Sequence, residues 1–253
     1  AIGVTNTALG NFAGGNVFDE LTSVEITLSS GSVTGLTRGQ VLDGDNHALV
    51  GDEIIQFRDA TLISTNRYKL TGLLRGRRGT EGAIATHSSS ERFVLLPSAG
   101  TGIVRPPADT SEIGLTRYYR GVTLGKTITS AASQTMVNTA ASLKPLPVVY
   151  VRGFRDASEN LTIFWKRRTR VDGGWRDFVD AALGETTESY EIDVMNWAGT
   201  IVRRTISVTA QTASYSAANQ ITDFGSPPQT QLRIRIYQMS SVVGRGFVTE
   251  AII

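Results

Sequence analysis

The sequence of 253 residues has 25 basic and 23 acidic side chains, and this net charge of +2 excludes a bulk electrostatic attraction to nucleic acid or to anionic membranes. It contains no cysteine, which excludes a disulfide framework and a thiolate metal site. With 40% hydrophobic residues and no apolar run of bilayer length, the chain is predicted to fold into one large or two ordinary domains.

The first part of the chain alternates apolar and polar residues, which is the pattern of half-buried β-strands. The clearest rows, in chain order, are Val24–Ile26–Leu28, Tyr68–Leu70–Leu74 around Gly72, and the apolar run from Glu91 to Pro97. Threonine, valine and isoleucine are abundant, and Gly, Asn or Asp interrupts the rows at short intervals. We therefore predict an all-β fold whose first domain has about eight strands, arranged as a β-sandwich or as a small β-barrel.

Two features interrupt the strand pattern further along the chain. Short helical turns are predicted in "TSAASQTMVNTAASL", from Thr129 to Leu143, and in "SAANQITDF", from Ser216 to Phe224. The segment "LKPLPVVYV", from Leu143 to Val151, carries two prolines, which stiffen a connector and do not fit a central strand. We place the domain boundary at this segment and predict a β-rich domain over residues 1–144 and a second domain over residues 145–253.

The second domain has about seven strand-like runs in roughly a hundred residues, the size and count of an immunoglobulin-like sandwich. It resembles a fibronectin type III domain, with a proline-led first strand, "LTIFW" as the second, "YEIDVM" as the third, "LRIRIYQ" as the sixth and "GRGFVTEAII" as the last. Trp165 is the expected buried core tryptophan. The chain departs from that family at Leu232, where a tyrosine is usual, and in a long connection from about Arg167 to Glu188, where contacts tend to be made.

The stretch "GLLRGRRGTEG", from Gly72 to Gly82, combines three arginines with four glycines. A phosphate-binding loop requires a Gly-Lys-Ser/Thr ending and a following helix. This stretch has no such ending, and the residues after it do not predict a helix. Arg77, Arg78 and Gly79 instead fit the tip of a connection after a strand, where glycines supply positive φ angles. We therefore predict a structural role, in which the arginines bond carboxylates or backbone carbonyls.

A second basic cluster, "WKRRTR" from Trp165 to Arg170, could form an arginine–aromatic platform for nucleic acid. Alternation turns Trp165 inward and Lys166 and Arg168 outward, and several acidic residues follow at once. Those residues are Asp172, Asp177, Asp180, Glu185 and Glu188. A salt-bridge network is the favoured interpretation, because a nearly neutral surface has little affinity for phosphate.

No stretch of the sequence predicts a catalytic or metal site. "LDGDNHALVGDE", from Leu42 to Glu53, lacks the spacing of a calcium loop, so a turn between two strands is favoured over a weak surface metal site. Of the two histidines, His87 precedes three serines in a loop-like composition, and no Gly-x-Ser-x-Gly elbow is present. We predict that the chain is not an enzyme and has no catalytic residue, cofactor or metal.

Several phrases together resemble the large tail-tip proteins of siphophages and gene transfer agents, also called baseplate hub, host-specificity or megatron proteins. The longest is "GDEIIQFRDATLISTNRYKLTGLLRGRRGTEGAIATH", and the others are "LTIFWKRRTRVDGGW", "LGETTESYEIDV", "TDFGSPPQ" and "QMSSVVGRGF". The resemblance extends from about Asn11 over nearly the whole chain and includes the tail-tip attachment proteins of lambdoid phages. Those proteins are much longer, so the chain, which begins at Ala1, is expected to be a C-terminal portion.

The resemblance implies a virion structural protein at the distal, host-facing end of a tail, made in the host bacterial cytoplasm. The implied partners are further copies of the chain, typically a homotrimer around the tail axis, neighbouring tail proteins, and a surface glycan or receptor on the host. Neither nucleic-acid binding nor membrane insertion is expected of this segment. Arg75, Arg77 and Arg78 are then a structural or inter-subunit corner, with Glu53 and Glu81 as candidate partners.

The alternative interpretation is a carbohydrate-binding adhesin or receptor-binding module. Its contact residues would be Trp175, Trp197 and Phe224, aromatic residues of the second domain that would stack on sugars. Exposure of both tryptophans on one rim would favour the adhesin, and burial would assign them to a core. A glycosidase or peptidase is disfavoured because no motif supports either activity.

Overall fold

A computed structural model describes residues 1–96, 109–173 and 177–253. The fold is all-β, as predicted, and the chain divides into two compact units, Ala1–Pro106 and Pro107–Ile253. The predicted domain division lies after Lys144, so the two divisions differ in residues 107–144. This segment groups with the second unit, although the first strand of the sandwich begins only at Val149.

The first unit contains a closed, six-stranded antiparallel barrel, one of the two architectures predicted for it. Its strands are β1 (Ile2–Thr5), β2 (Val24–Ser30), β3 (His47–Val50), β4 (Glu53–Ser64), β5 (Arg67–Leu74) and β6 (Arg92–Leu95), in the spatial order β1–β2–β5–β4–β3–β6. The barrel closes where β1 pairs with β6, with Ile2 opposite Val94. A short helix, α1 (Arg38–Leu42), begins at a capping box formed by Thr37 and Gln40.

The barrel core follows the alternation that the sequence shows. The buried side chains of the strands form one cluster, and each valine, leucine, isoleucine or phenylalanine in it contributes roughly 1.5–3 kcal/mol when it is fully removed from water. Its strand members are Val24, Ile26, Leu28, Ala48, Val50, Ile55, Phe57, Leu70, Leu73 and Phe93. In β5 the alternation changes at Gly72, whose φ is 61°, so that Leu73 joins Leu70 in the core cluster.

Residues 109–144 contain a small two-stranded ribbon, formed by β7 (Thr116–Tyr119) and β8 (Gln134–Val137). The helical turn predicted over Thr129–Leu143 is therefore wrong at its centre, which is strand β8. Only single 3-10 turns, Ile128–Ser130 and Ala141–Leu143, flank it. Serine, threonine and asparagine are abundant in this stretch, and their side chains compete with helical backbone bonds, which favours turns and strands.

The second unit also contains an antiparallel sandwich of two sheets, with the topology of a fibronectin type III domain. Its strands are β9 (Val149–Arg155), β10 (Leu161–Lys166), β11 (Tyr190–Met195), β12 (Val202–Val208), β13 (Thr212–Tyr215), β14 (Arg233–Ser240), β15 (Gly244–Arg245) and β16 (Thr249–Ile252). One sheet has the order β9–β10–β13. In the other, β12, β11 and β14 are neighbours, and β15 and β16 both pair with β14.

The sandwich core is built around Trp165, which is buried as predicted. Its indole ring meets Tyr190 edge to face, with ring centroids 5.2 Å apart and an interplanar angle of 70°. Alternate residues of the strands predicted at "LTIFW", "YEIDVM" and "LRIRIYQ" lie in the same core, and they include Leu161, Ile163, Ile192, Val194, Leu232, Ile234 and Ile236. The apolar alternation of these three strands therefore coincides with the buried core of this domain.

The second predicted helical segment is confirmed as α2 (Ala217–Phe224), which lies between β13 and β14. The hydroxyl of Ser216 caps it by accepting a bond from the Asn219 backbone N–H. Gln220 is buried and donates to the carbonyls of Tyr215 and Glu159, which ties the helix to the end of the three-stranded sheet. The long connection between β10 and β11 is also present, and its described residues contain no helix or strand.

Candidate functional site

The arginine- and glycine-rich stretch lies where β5 leaves the barrel. After Leu74 the chain turns at Gly76, whose φ is 58°, and two 3-10 turns follow, Arg77–Gly79 and Glu81–Ala83. A Cβ at Gly76 would stand 2.9 Å from the Cα of Glu81, so the turn requires glycine both for its backbone angle and for space. This turn directs the side chain of Arg75 into the protein.

The Arg75 guanidinium is fully buried and bonded on every side. Its Nε and Nη2 donate to the two carboxylate oxygens of Glu53 at 3.0 and 2.9 Å, a bidentate pair. Its Nη1 donates to Asp19 Oδ2 at 3.2 Å, to the Gly10 carbonyl at 2.8 Å and to Thr22 Oγ1 at 3.2 Å. Arg75 thus bonds a carboxylate, Glu53, and a backbone carbonyl, Gly10, as predicted for a structural arginine, and it is an internal cross-link of the barrel.

Glu53 and His87 extend this network. His87 is almost completely buried between two carboxylates, with Nε2 2.7 Å from Glu53 Oε2 and Nδ1 2.7 Å from Glu91 Oε2. A ring nitrogen that carries its proton can donate to the carboxylate it faces, because an ionised carboxylate only accepts hydrogen bonds. The imidazole of His87 therefore bridges the two glutamates.

We call Asp19, Glu53, Arg75, His87 and Glu91 the Arg75 network. Burial raises the pKa of Asp19, but hydrogen bonds from Thr22, the Leu21 backbone and Arg75 outweigh it, so this pKa is lowered. Burial likewise raises the pKa of Glu91, and the bonds from His87 and Ser88 reverse the effect and lower it. Both carboxylates are therefore held in the ionised form.

The stability of the chain is expected to fall in acid. A carboxylate whose pKa is lowered by folding contributes stability above its unfolded pKa, about 4, and that stability is lost as the pH falls through the folded pKa. Asp19 and Glu91 have lowered pKa values, and so does Asp193 of the sandwich, where bonds from Arg245 and Thr205 outweigh burial. Urea unfolding between pH 7 and pH 2.5 should show this loss below about pH 4, and an unfolding free energy that rises there would contradict the assignment.

The other predicted residues of the corner lie near the Arg75 network. Arg77 is half-buried, and its Nε and Nη1 donate to Gln56 at 2.9 Å and to Asn16 at 2.7 Å. Arg78 is exposed and has a φ of 57°, and Glu81 lies half-buried in the following 3-10 turn. The geometry thus gives Arg75 and Arg77 partners within the barrel itself. An inter-subunit role for the corner stays a prediction.

Sequence reasoning missed Asp19 and His87 as members of this site. His87 was assigned to a serine-rich loop, and nothing in the sequence around Asp19 distinguishes it from other surface acids. The one signal that the sequence offers is the phrase from Gly51 to His87, which contains the acidic residue Glu53 together with the basic residues Arg75 and His87. Pairing across 34 residues, as between His87 and Glu53, becomes visible only in the folded barrel.

The residues predicted for glycan contact lie in different settings. Trp197 is 62% exposed in the turn between β11 and β12. Phe224, at the end of α2, packs partly buried against the sandwich core, which leaves little of its ring for a ligand. Trp175 lies outside the described residues, so the comparison of the two tryptophans stays open.

The basic cluster after Trp165 is paired with acids of the following connection, as predicted. Arg167 Nη1 lies 2.9 Å from Glu188, its Nη2 lies 3.4 Å from Asp180, and Arg170 lies 3.0 Å from Glu185. The stretch from Leu42 to Glu53 runs from the end of α1 through β3 to the start of β4, so its first turn joins a helix, rather than a strand, to β3. No group of three or more His, Cys, Asp or Glu residues that could hold a metal ion exists within the described residues.

Comparison with known proteins gives a match for the barrel. Residues 1–94 match the family model described as Rcc01698-like, C-terminal. A search of curated proteins found no match. In the part of the chain that the structure describes, no helix is long and apolar enough to cross a membrane.

Solved structures with some similarity are multidomain β-proteins. One is the rat CD45 extracellular region, domains d3–d4, at 9% identity, which aligns over 63% of this chain and 72% of that one with a TM-score of 0.32. Another is the chicken CNTN1 FN1–FN3 domains, at 13% identity over 97% and 64% of the two chains, with a TM-score of 0.30. Titin domains A168–A170 align over 100% and 99% at 9% identity, with a TM-score of 0.28. The similarity to the Rcc01698-like C-terminal model covers the residues that build the Arg75 network.

Proposed function

We propose that this chain is a structural part of the tail tip of a phage or of a phage-like gene transfer particle. The observation that carries the proposal is the match of residues 1–94 to the Rcc01698-like C-terminal model, a name from a gene transfer agent context. It coincides with the phrase from Gly51 to His87 that resembles tail-tip proteins. Both similarities fall on the residues of the barrel.

The construction of the barrel suits such a role. Five ionisable side chains from distant parts of the chain bond one another in the Arg75 network, and burying them costs desolvation that good geometry must offset. A network of this kind contributes a defined geometry more than net stability. A particle component that must present fixed surfaces to its neighbours would benefit from this rigidity, and the sandwich would act as a spacer or contact domain.

The proposal is tested by locating the chain in particles. Antibodies raised against the chain would be applied, with gold labels, to particles released by the organism that encodes it. Label at the tail end distal to the head is expected. Particles that carry no label, or that are labelled along the whole tube, would contradict the proposal.

Replacing Arg77 by alanine is expected to reduce the incorporation of the chain into tails. The change removes the bonds to Gln56 and Asn16, each worth roughly 0.5–1.5 kcal/mol, so the barrel should still fold. Incorporation would be measured by immunoblotting of purified particles, and circular dichroism of the isolated variant would establish that it folds. Lys69→Ala, at an exposed position of β5 outside the corner, is the matched control, and normal assembly of the Arg77 variant would disprove a role in assembly.

A further inference from the structure

The outer face of the three-stranded sheet carries an unusual set of exposed side chains. They are Tyr150, Arg152 and Phe154 from β9, and Phe164 and Lys166 from β10, and we call them the aromatic face. Tyr150 is 74% exposed, Phe154 66% and Phe164 46%. Exposed aromatic residues grouped in this way mark binding surfaces more often than chance positions.

The register of the strands brings these side chains together. Leu161, Ile163 and Trp165 of β10 are in the core, so Phe164 and Lys166 between and after them point outward. Phe164 stands opposite Arg152, and Phe154 stands opposite Thr162, two residues further along. The two phenyl rings are therefore diagonal neighbours, about 7–8 Å apart at their Cα atoms, with Arg152 beside both.

Tyr150 occupies a strained position on the same strand. Its φ is 55°, a value that bulky residues rarely adopt, and it lies at a β-bulge where Tyr150 and Val151 of β9 together oppose Trp165 of β10. The bulge keeps both Val148 and Val151 packed against the sandwich core while Tyr150 remains exposed. Glycine would adopt this φ without strain, so a tyrosine at this position indicates that its side chain has a use. Backbone strain of this kind is typical of functional sites.

The charge on the aromatic face is positive. Arg152 and Lys166 are exposed, and within the described residues neither side chain makes a hydrogen bond or salt bridge, although Lys166 contributes to the lowered pKa of Asp180. None of the outward-facing residues of β9, β10 and β13 is acidic. Asp156, in the turn between β9 and β10, accepts bonds from the Ser158 and Asn160 amides of that turn.

The charges and rings of the aromatic face favour some classes of ligand over others. A second copy meeting face to face would oppose like charges, and a neutral sugar would leave the cations without a role. A nucleic acid requires many phosphate contacts, whereas this face offers two cations on a chain of net charge +2. Protein interfaces enrich aromatic residues and arginine but deplete lysine and serine, both of which this face carries in Lys166 and Ser214. A chain of sugar acids presents the same alternation, with apolar C–H faces and carboxylates.

We propose that the aromatic face binds an acidic polysaccharide. Sugar rings stack on Phe154, Phe164 and Tyr150, and carboxylates pair with the guanidinium of Arg152 and the ammonium of Lys166. The outward hydroxyls of Thr162, Thr212 and Ser214 on the same face are available as hydrogen-bond partners. This inference goes beyond a structural role and stands whether or not the chain belongs to a tail.

The test is titration calorimetry of the full chain with four probes of matched length. They are hexagalacturonate, neutral maltohexaose, hexaglutamate and the deoxythymidine hexanucleotide. Binding of hexagalacturonate roughly tenfold tighter than of each other probe, weakened by salt, is expected. Equal binding of maltohexaose, preferential binding of the peptide or the oligonucleotide, or no binding at all would each overturn the proposal.

Variants locate the site. Phe154→Ser with Phe164→Ser, and separately Arg152→Glu with Lys166→Glu, are each expected to weaken hexagalacturonate binding roughly tenfold or more. Tyr118→Ser, which changes an exposed aromatic residue outside the sandwich, is the control and should bind normally. Thermal unfolding establishes that each variant folds. If both double variants retained binding, the aromatic face would be the wrong site.

Tyr150→Gly separates binding from stability. Glycine adopts the positive φ of this position without strain, so the melting temperature should be maintained or raised. Hexagalacturonate binding should nevertheless weaken, because one stacking surface is lost. A variant that bound as tightly as the original chain would show that the strained tyrosine is not part of the site.

Discussion

Replacing Arg75 by methionine is expected to lower the free energy of unfolding of the barrel by about 3–5 kcal/mol. Methionine fills much of the volume but donates no hydrogen bond, so the buried carboxylates of Glu53 and Asp19 lose a cationic partner. The desolvation of two uncompensated charges then dominates the effect. Urea unfolding followed by circular dichroism would measure the change.

A double-mutant cycle shows whether the effect comes from the stranded charge. Combining Arg75→Met with Glu53→Gln removes the charge that the first change leaves unpaired, so the double variant should be more stable than the sum of the single losses predicts. Arg78→Ala, at the exposed position three residues further on, should change stability by less than about 0.5 kcal/mol. Additive losses in the cycle would mean that Arg75 and Glu53 do not act as a pair.

Replacing Trp165 by alanine is expected to lower the free energy of unfolding of the sandwich by about 3–5 kcal/mol. The change removes the largest side chain of that core and the edge-to-face contact with Tyr190. Because surrounding strands relax only partly, a cavity remains, and its cost adds to the lost burial.

The change would be measured by chemical unfolding, with Phe178→Ala as a matched control. Phe178 is an aromatic residue of the same unit whose side chain is fully exposed, so its removal should alter stability by less than about 0.5 kcal/mol. Trp165→Phe should lower the free energy of unfolding by less than half of the amount that Trp165→Ala does. Equal losses for Trp165→Ala and Phe178→Ala would contradict the assignment of Trp165 to the core.

Much of the sandwich could be predicted because its information is local. Trp165 and the alternating rows of β10, β11 and β14 each specify a buried face within six to eight residues, and the structure places those rows in one core. Ser216 likewise marks the start of α2 by its capping side chain. Patterns of this kind do not depend on which other strand lies alongside.

The barrel was less predictable because its defining contacts are not local. Closure depends on β1 pairing with β6, which lie about ninety residues apart, and no repeat or turn signal marks that pairing. Arg75 lies in a stretch whose glycines and arginines are typical of an exposed turn. Its burial follows only from the positions of Asp19, Glu53 and His87. The helical turn predicted over Thr129–Leu143 is wrong for a local reason. The alanines of this segment favour a helix, but its β-branched and hydroxyl residues disfavour one.

The reach of the Arg75 network along the chain has a kinetic consequence. Arg75 bonds Gly10 across 65 residues, and His87 bonds Glu53 across 34. Contacts that close such long loops are expected to form after the folding transition state, so removing them should leave the folding rate nearly unchanged. The unfolding rate should rise instead. The network would then determine how long a closed barrel survives before it opens, which is the kinetic stability of the fold.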